Sequence, residues 1–150
     1  MIRLETSKRT GIPNKQVGEI SPVEMNINKT IPRRFPNIVQ RTEMSPLYNC
    51  HGLTFASRRT RLTDGPSVRR ILSDDEWKEV EVSDLLAGDI VIYYSEDGDP
   101  NHSGIFAYFD ALKVPVICSK WGTAGEFVHQ LNDIPGEVYG PTTKFYRCQL

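Results

Sequence analysis

Cysteine is scarce here: Cys50, Cys118 and Cys148 are the only three in 150 residues. An odd number at long separations is not a disulfide framework, and without a C-x-x-C pair the zinc-site signature is missing as well. Free thiols in a reducing compartment are the expectation. Long apolar runs are also lacking. No stretch approaches the roughly 20 apolar residues that span a bilayer, and Met1–Thr10 offers no apolar core for a signal peptide. A cytoplasmic location without membrane association is expected, with export by a leaderless route left open. Net charge is nearly absent, since 18 Lys plus Arg face 19 Asp plus Glu. That balance conceals an asymmetry: residues 1–45 carry 8 basic and 4 acidic side chains, 46–70 carry 5 and 1, and 71–150 carry 5 and 14. The basic residues are not interleaved with aromatics, so nucleic acid is not the expected partner. Nor do they line an amphipathic helix that would lie on a membrane. A basic front half either attracts the acidic back half or docks a protein partner.

What is present suffices for one domain with a real core. Five of the ten prolines fall within residues 1–46 (Pro13, Pro22, Pro32, Pro36 and Pro46), where no helical or strand period is sustained. The expectation is an extended N-terminal arm over 1–45 and a folded domain over 46–150. Pro46 to Ser57 is an uncharged run that turns abruptly into Arg58 and Arg59. It reads as a buried helix with Asn49 as N-cap and arginines complementing the C-terminal dipole. After a Gly65-Pro66 break, Ser67–Leu72 and Asp74–Val80 read as two short helical or irregular pieces. Strands are expected at Ile90–Tyr94, Ser103–Phe109, Val114–Trp121 and Thr142–Gln149, the first two joined by the turn-rich Ser95–Asn101. Helix first and antiparallel strands afterwards is an α+β order. There is no internal repeat or low-complexity tract.

Two residues stand out chemically. Cys50 falls in the first turn of the expected helix, where free N–H groups and the positive dipole end favour a thiolate. His102 stands where the turn enters the next strand, placed to face that helix end and to act as a base of near-neutral pKa. Most free cysteines are inert buried thiols, so the pairing with His102 carries the functional reading. Cys50, His51 and His102 lack a fourth ligand and the usual spacing for zinc, and no metal or organic cofactor is expected.

The order Asn49-Cys50-His51-Gly52 at a helix start, then Gly88-Asp89 opening Ile90–Tyr94, then His102-Ser103-Gly104-Ile105, resembles the NlpC/P60 superfamily of papain-like cysteine peptidases and amidases, with its CHAP-type relatives. The likeness covers about residues 46–130. It implies a papain-like core in which the Cys-bearing helix packs on an antiparallel sheet. It further implies a nucleophile at Cys50, a general base at His102, and a third polar group that orients the imidazole. The chain departs from the family around the nucleophile, where Asp-Cys-Ser-Gly is usual, and at the third position, where the expected strand carries Ser119 and Lys120. His129 is the preferred third member, with Ser119 behind it. Lys120 suits substrate anchoring, since a lysine would repel an imidazolium. Trp121 reads as a groove wall or as core. His51 reads as a rim residue, because successive helical side chains point about 100° apart. The expected chemistry is amide hydrolysis through a thioester, on a peptidoglycan peptide or a protein, with deamidation or acyl transfer by the same pair as variants. The competing reading is a non-catalytic protein-interaction module.

Overall fold

Alternation along Ile90–Tyr94 organises the centre of the molecule. In the computed structural model, which describes residues 1–149, Ile90 and Ile92 join one buried cluster with Val68, while Val91 and Tyr93 join another with Leu85, Phe106, Ile117 and Phe145. Successive strand side chains point to opposite faces, so a run apolar at every position marks a strand covered on both sides.

That strand, β3, lies in a seven-stranded sheet with β1 (Val39–Gln40), β2 (Trp77–Val80), β4 (Pro100–Phe109), β5 (Pro115–Lys120), β6 (Glu126–Gln130) and β7 (Thr142–Cys148). Every pairing is antiparallel, in the order β1-β6-β5-β4-β3-β7-β2. The helices are few and short: α1 (Pro22–Asn28), α2 (Ile31–Arg34), α3 (Cys50–Phe55), α4 (Gly65–Asp74) and α5 (Gly136–Tyr139). The fold is α+β, with α3 packed on β4 and β5 and α4 on β2 and β4. Among the described residues no helix is long and apolar enough to cross a membrane.

The sheet is wider than the sequence reading expects. Trp77–Val80 is a strand paired with β7, not a helical or irregular piece. Gly65-Pro66 is not a break but the first turn of α4, capped by the Asp64 side chain, which accepts the Ser67 N–H at 2.7 Å. Proline is well suited there, because the first-turn N–H has no helical partner to lose. β6 was not expected at all. The segment read as an extended arm contains α1, α2 and β1, and β1 pairs with β6. Ile12 packs with Leu62 and Ile71, and Ile31 packs with Trp121 and Phe127. Helix α3 is also shorter than expected: it ends at Phe55, and Ser57 and Arg58 both take left-handed backbone. Arg58 consequently leaves the helix axis and pairs with Glu126 instead of facing the C-terminal dipole.

Candidate active site

Asn49 sets the geometry of the helix start. Its Oδ1 accepts the N–H of Gly52 at 2.9 Å and that of Leu62 at 3.2 Å, while its Nδ2 donates to the Leu62 carbonyl at 2.7 Å. One amide therefore caps α3 and holds the chain around Leu62 alongside it. Gly52 permits the approach, since a Cβ there would overlap the Thr60 carbonyl oxygen. Cys50 becomes the first helical residue and borders a cleft of about 460 Å³, together with His51, Asp64, Asp99 and Asn101.

His102 lies inside β4, paired across to Tyr93, and is buried. Its ring stacks flat on Tyr139, with 3.6 Å between ring centres and 2° between planes. Its Nε2 has no hydrogen-bond partner. Burial alone would push the Cys50 thiol up. The positive charges that the His51 and His102 imidazoles place beside the sulfur outweigh burial and hold it well below the ordinary thiol value. Cys118 shows the opposite: burial and the neighbouring Glu126 carboxylate push its thiol up. A buried thiol in this protein is thus acidic only where imidazoles surround it.

His51 borders the cleft but is buried rather than exposed at a rim. It is 5% exposed, with Nε2 at 2.9 Å from the Pro100 carbonyl and Nδ1 at 2.8 Å from Ser103 Oγ. Strand β4 runs so close beside α3 that the ring meets it directly.

His129 sits on β6, also buried. Its Nδ1 contacts the Gln130 carbonyl at 2.7 Å and its Nε2 contacts Ser119 Oγ at 2.7 Å, and that oxygen accepts the Trp121 indole N–H at 3.0 Å. A carbonyl can only accept, so Nδ1 carries the proton and Nε2 accepts from Ser119. Both ring nitrogens are occupied away from His102, which acts on His129 through charge repulsion. Burial first, and that repulsion also, push His129 down to about 4. A histidine depressed in the fold favours the native state above its unfolded value near 6.5, and this advantage is lost as pH falls toward 4. We expect stability to fall by roughly 3 kcal/mol across that window on this account. Urea unfolding midpoints at pH 7 and pH 4.5 test this: the drop should shrink in His129→Gln.

Lys120 is buried, and its ammonium donates to three backbone carbonyls, those of Ser45 at 2.7 Å, Tyr48 at 3.1 Å and Gly122 at 2.7 Å. Burial and Arg61 push it down to about 8. Two of these bonds tie it to the segment leading into α3 and the third to the turn after β5, so it holds that segment against the sheet with its donors committed. Trp121 is core, packed on Phe35, Phe127 and Tyr139. The sequence reading missed Asp64, Asp99 and Asn101 at the cleft, and Tyr139 against His102. Asp64 was detectable as a helix cap before Gly-Pro; Tyr139 carried no local signal.

Among the described residues no group of three or more His, Cys, Asp or Glu side chains is arranged to hold a metal ion. No family model, curated protein or solved structure matches the chain.

Proposed function

We propose that the protein is a cysteine hydrolase of amide bonds, built on a papain-like core of the NlpC/P60 type. The observation that carries this reading is an acidified thiol, Cys50, at the head of α3, bordering an open cleft with two imidazoles acting on it. A thiolate is the nucleophilic form of cysteine, and an inert structural thiol has no need of such surroundings. The order of elements, a Cys-bearing helix followed by antiparallel strands with His102 on β4, supports the papain-like reading.

In the proposed reaction the Cys50 thiolate attacks the carbonyl carbon, and the C=O π pair moves onto oxygen. Asn49 takes the Gly52 N–H, whereas the backbone N–H groups of Cys50 and His51 have no bonded partner among the described residues and can receive that oxyanion. Collapse breaks the C–N bond, and the amine leaves with the proton that His102 carries. Water then attacks the thioester, giving its proton to His102, and a carboxylic acid is released as the thiolate reforms. The substrate class is a peptide or protein amide, a peptidoglycan peptide included.

The test needs no substrate. Iodoacetamide labelling of each cysteine is followed by mass spectrometry against pH. Cys50 is expected to label fast below pH 7 and more slowly in His102→Ala, with Cys118 unreactive. A Cys50 that labels like an ordinary thiol of pKa near 8.5 would leave a non-catalytic interaction module as the better reading.

A further inference from the structure

Four polar contacts run from α3 to β4 in one chain. His51 Nε2 meets the Pro100 carbonyl at 2.9 Å, His51 Nδ1 meets Ser103 Oγ at 2.8 Å, Ser103 Oγ meets Thr54 Oγ1 at 2.8 Å, and Thr54 Oγ1 meets the Cys50 carbonyl at 3.0 Å. Each contact needs one proton, and the two terminal carbonyls can only accept. Ser103 and Thr54 supply one proton each, so the remaining two must both come from His51. Thr54 donates to the Cys50 carbonyl, Ser103 donates to Thr54, and His51 donates from both nitrogens. A neutral His51 would leave one of these close contacts without a hydrogen, in a site where His51 and Ser103 are buried.

We infer that His51 is a resident imidazolium, a fixed positive charge beside the Cys50 thiolate, and that His102 alone carries the mobile proton. The inference rests on the hydrolase reading and adds a division of labour to it. His51 is pinned at both nitrogens, so it cannot hand a proton to a leaving group without breaking the chain. His102 is free at Nε2 and stacked on Tyr139 rather than hydrogen-bonded to it, so no hydrogen bond at that nitrogen has to break for a proton to move there. His51 is thus an electrostatic positioning residue that keeps the sulfur ionised while His102 cycles between acid and base.

The surroundings fit a held cation. Burial opposes the charge on His51, but attraction to the Cys50 thiolate and the Pro100 carbonyl together raise it above the ordinary imidazole value. The other charged or titratable groups nearby are His102 on β4 and the carboxylates of Asp64 and Asp99, which border the same cleft. Among the charged groups, the Cys50 thiolate sets the His51 value.

Nitrogen-resolved NMR on 15N-histidine-labelled protein tests the inference without a substitution, since the chain has only three histidines. At pH 7 both His51 nitrogens should show the protonated signature, while His129 should show a neutral ring protonated at Nδ1. Thr54→Val keeps the shape but releases the Ser103 proton for His51 Nδ1, so the His51 midpoint should fall by about one pH unit. In parallel, His51→Gln should slow Cys50 labelling at pH 6.5 about tenfold. A His51 that is neutral at pH 7, or one whose midpoint is unchanged in Thr54→Val, overturns the assignment. If His51 is neutral while Cys50 still labels fast and depends on His102, the hydrolase reading stands and only this inference falls. If His51 is neutral and Cys50 behaves as an ordinary thiol, both fall.

Discussion

Cys50→Ala is expected to lower amide hydrolysis by at least about a thousandfold on any substrate the protein cleaves. The variant removes the only atom that can form the thioester, and what remains, an oxyanion site and a binding cleft, accelerates the reaction far less. His102→Gln should be nearly as severe on amides, but for a different reason. The sulfur stays partly ionised beside His51, so attack still occurs at a reduced rate, yet the amine has no acid to protonate it on departure. An aryl ester, whose leaving group needs no proton, should separate these effects. His102→Gln should retain a burst of acylation followed by slow deacylation, whereas Cys50→Ala should show neither. The double variant should be no worse than Cys50→Ala, because residues that act as one unit are not additive. A screen over peptidoglycan stem peptides and peptide amides, followed by kcat on the best substrate, measures all three. Full activity in Cys50→Ala would end the proposal.

The sequence made this pair visible because its signals are local. Asn49 before an uncharged run announces a capped helix, and the turn residues Ser95–Asn101 announce the approach to His102. The role of His51 could not be found that way. Spacing along the helix gives no hint of it, because its partners Ser103 and Pro100 come from β4, roughly fifty residues on, and only packing brings them near. The same limit hid β6. Glu126 and His129 are charged or polar and interrupt the apolar pattern of a buried strand, and they are buried because Arg58 and Ser119 meet them from elsewhere in the chain. Trp77–Val80 was misread for a related reason. Four residues with a Lys-Glu centre have little intrinsic strand character, and their pairing with Phe145–Cys148 is decided by a partner nearly seventy residues away. Lys120 illustrates the converse. A lysine at the family's third position suggested substrate anchoring, whereas its ammonium is spent on three carbonyls, two of them, Ser45 and Tyr48, in the approach to α3.

That approach depends on one further buried charge, and its removal should produce the largest loss of stability. The Glu126 side chain is fully buried; it accepts the Tyr48 hydroxyl and two donors of Arg58, Nε at 2.6 Å and Nη2 at 3.0 Å. Burial pushes its carboxyl up, but hydrogen bonds from Arg58 and Tyr48 and the Arg58 charge outweigh this and hold it below the usual carboxylate value. Glu126→Gln keeps the shape and removes the charge, leaving Arg58 unpaired and the Tyr48 hydroxyl with a weaker acceptor. Removing one partner of a fully buried ion pair costs about 3–5 kcal/mol. Arg58 is 52% exposed and can turn to water, so the expected loss is smaller, about 2–4 kcal/mol. The pH sign follows from the lowered carboxyl: the contribution is present above the ordinary glutamate value and is lost as pH falls through the folded one. The gap in urea midpoint between wild type and Glu126→Gln should therefore be full at pH 7 and narrow at pH 3.5. Tyr48→Phe removes only the hydroxyl and should cost about 1 kcal/mol, and its effect should largely vanish in the Glu126→Gln background, since both act through one network. Equal gaps at both pH values, or additive effects in the double variant, would show that Glu126 does not tie the Tyr48 segment, and with it the start of α3, to the sheet.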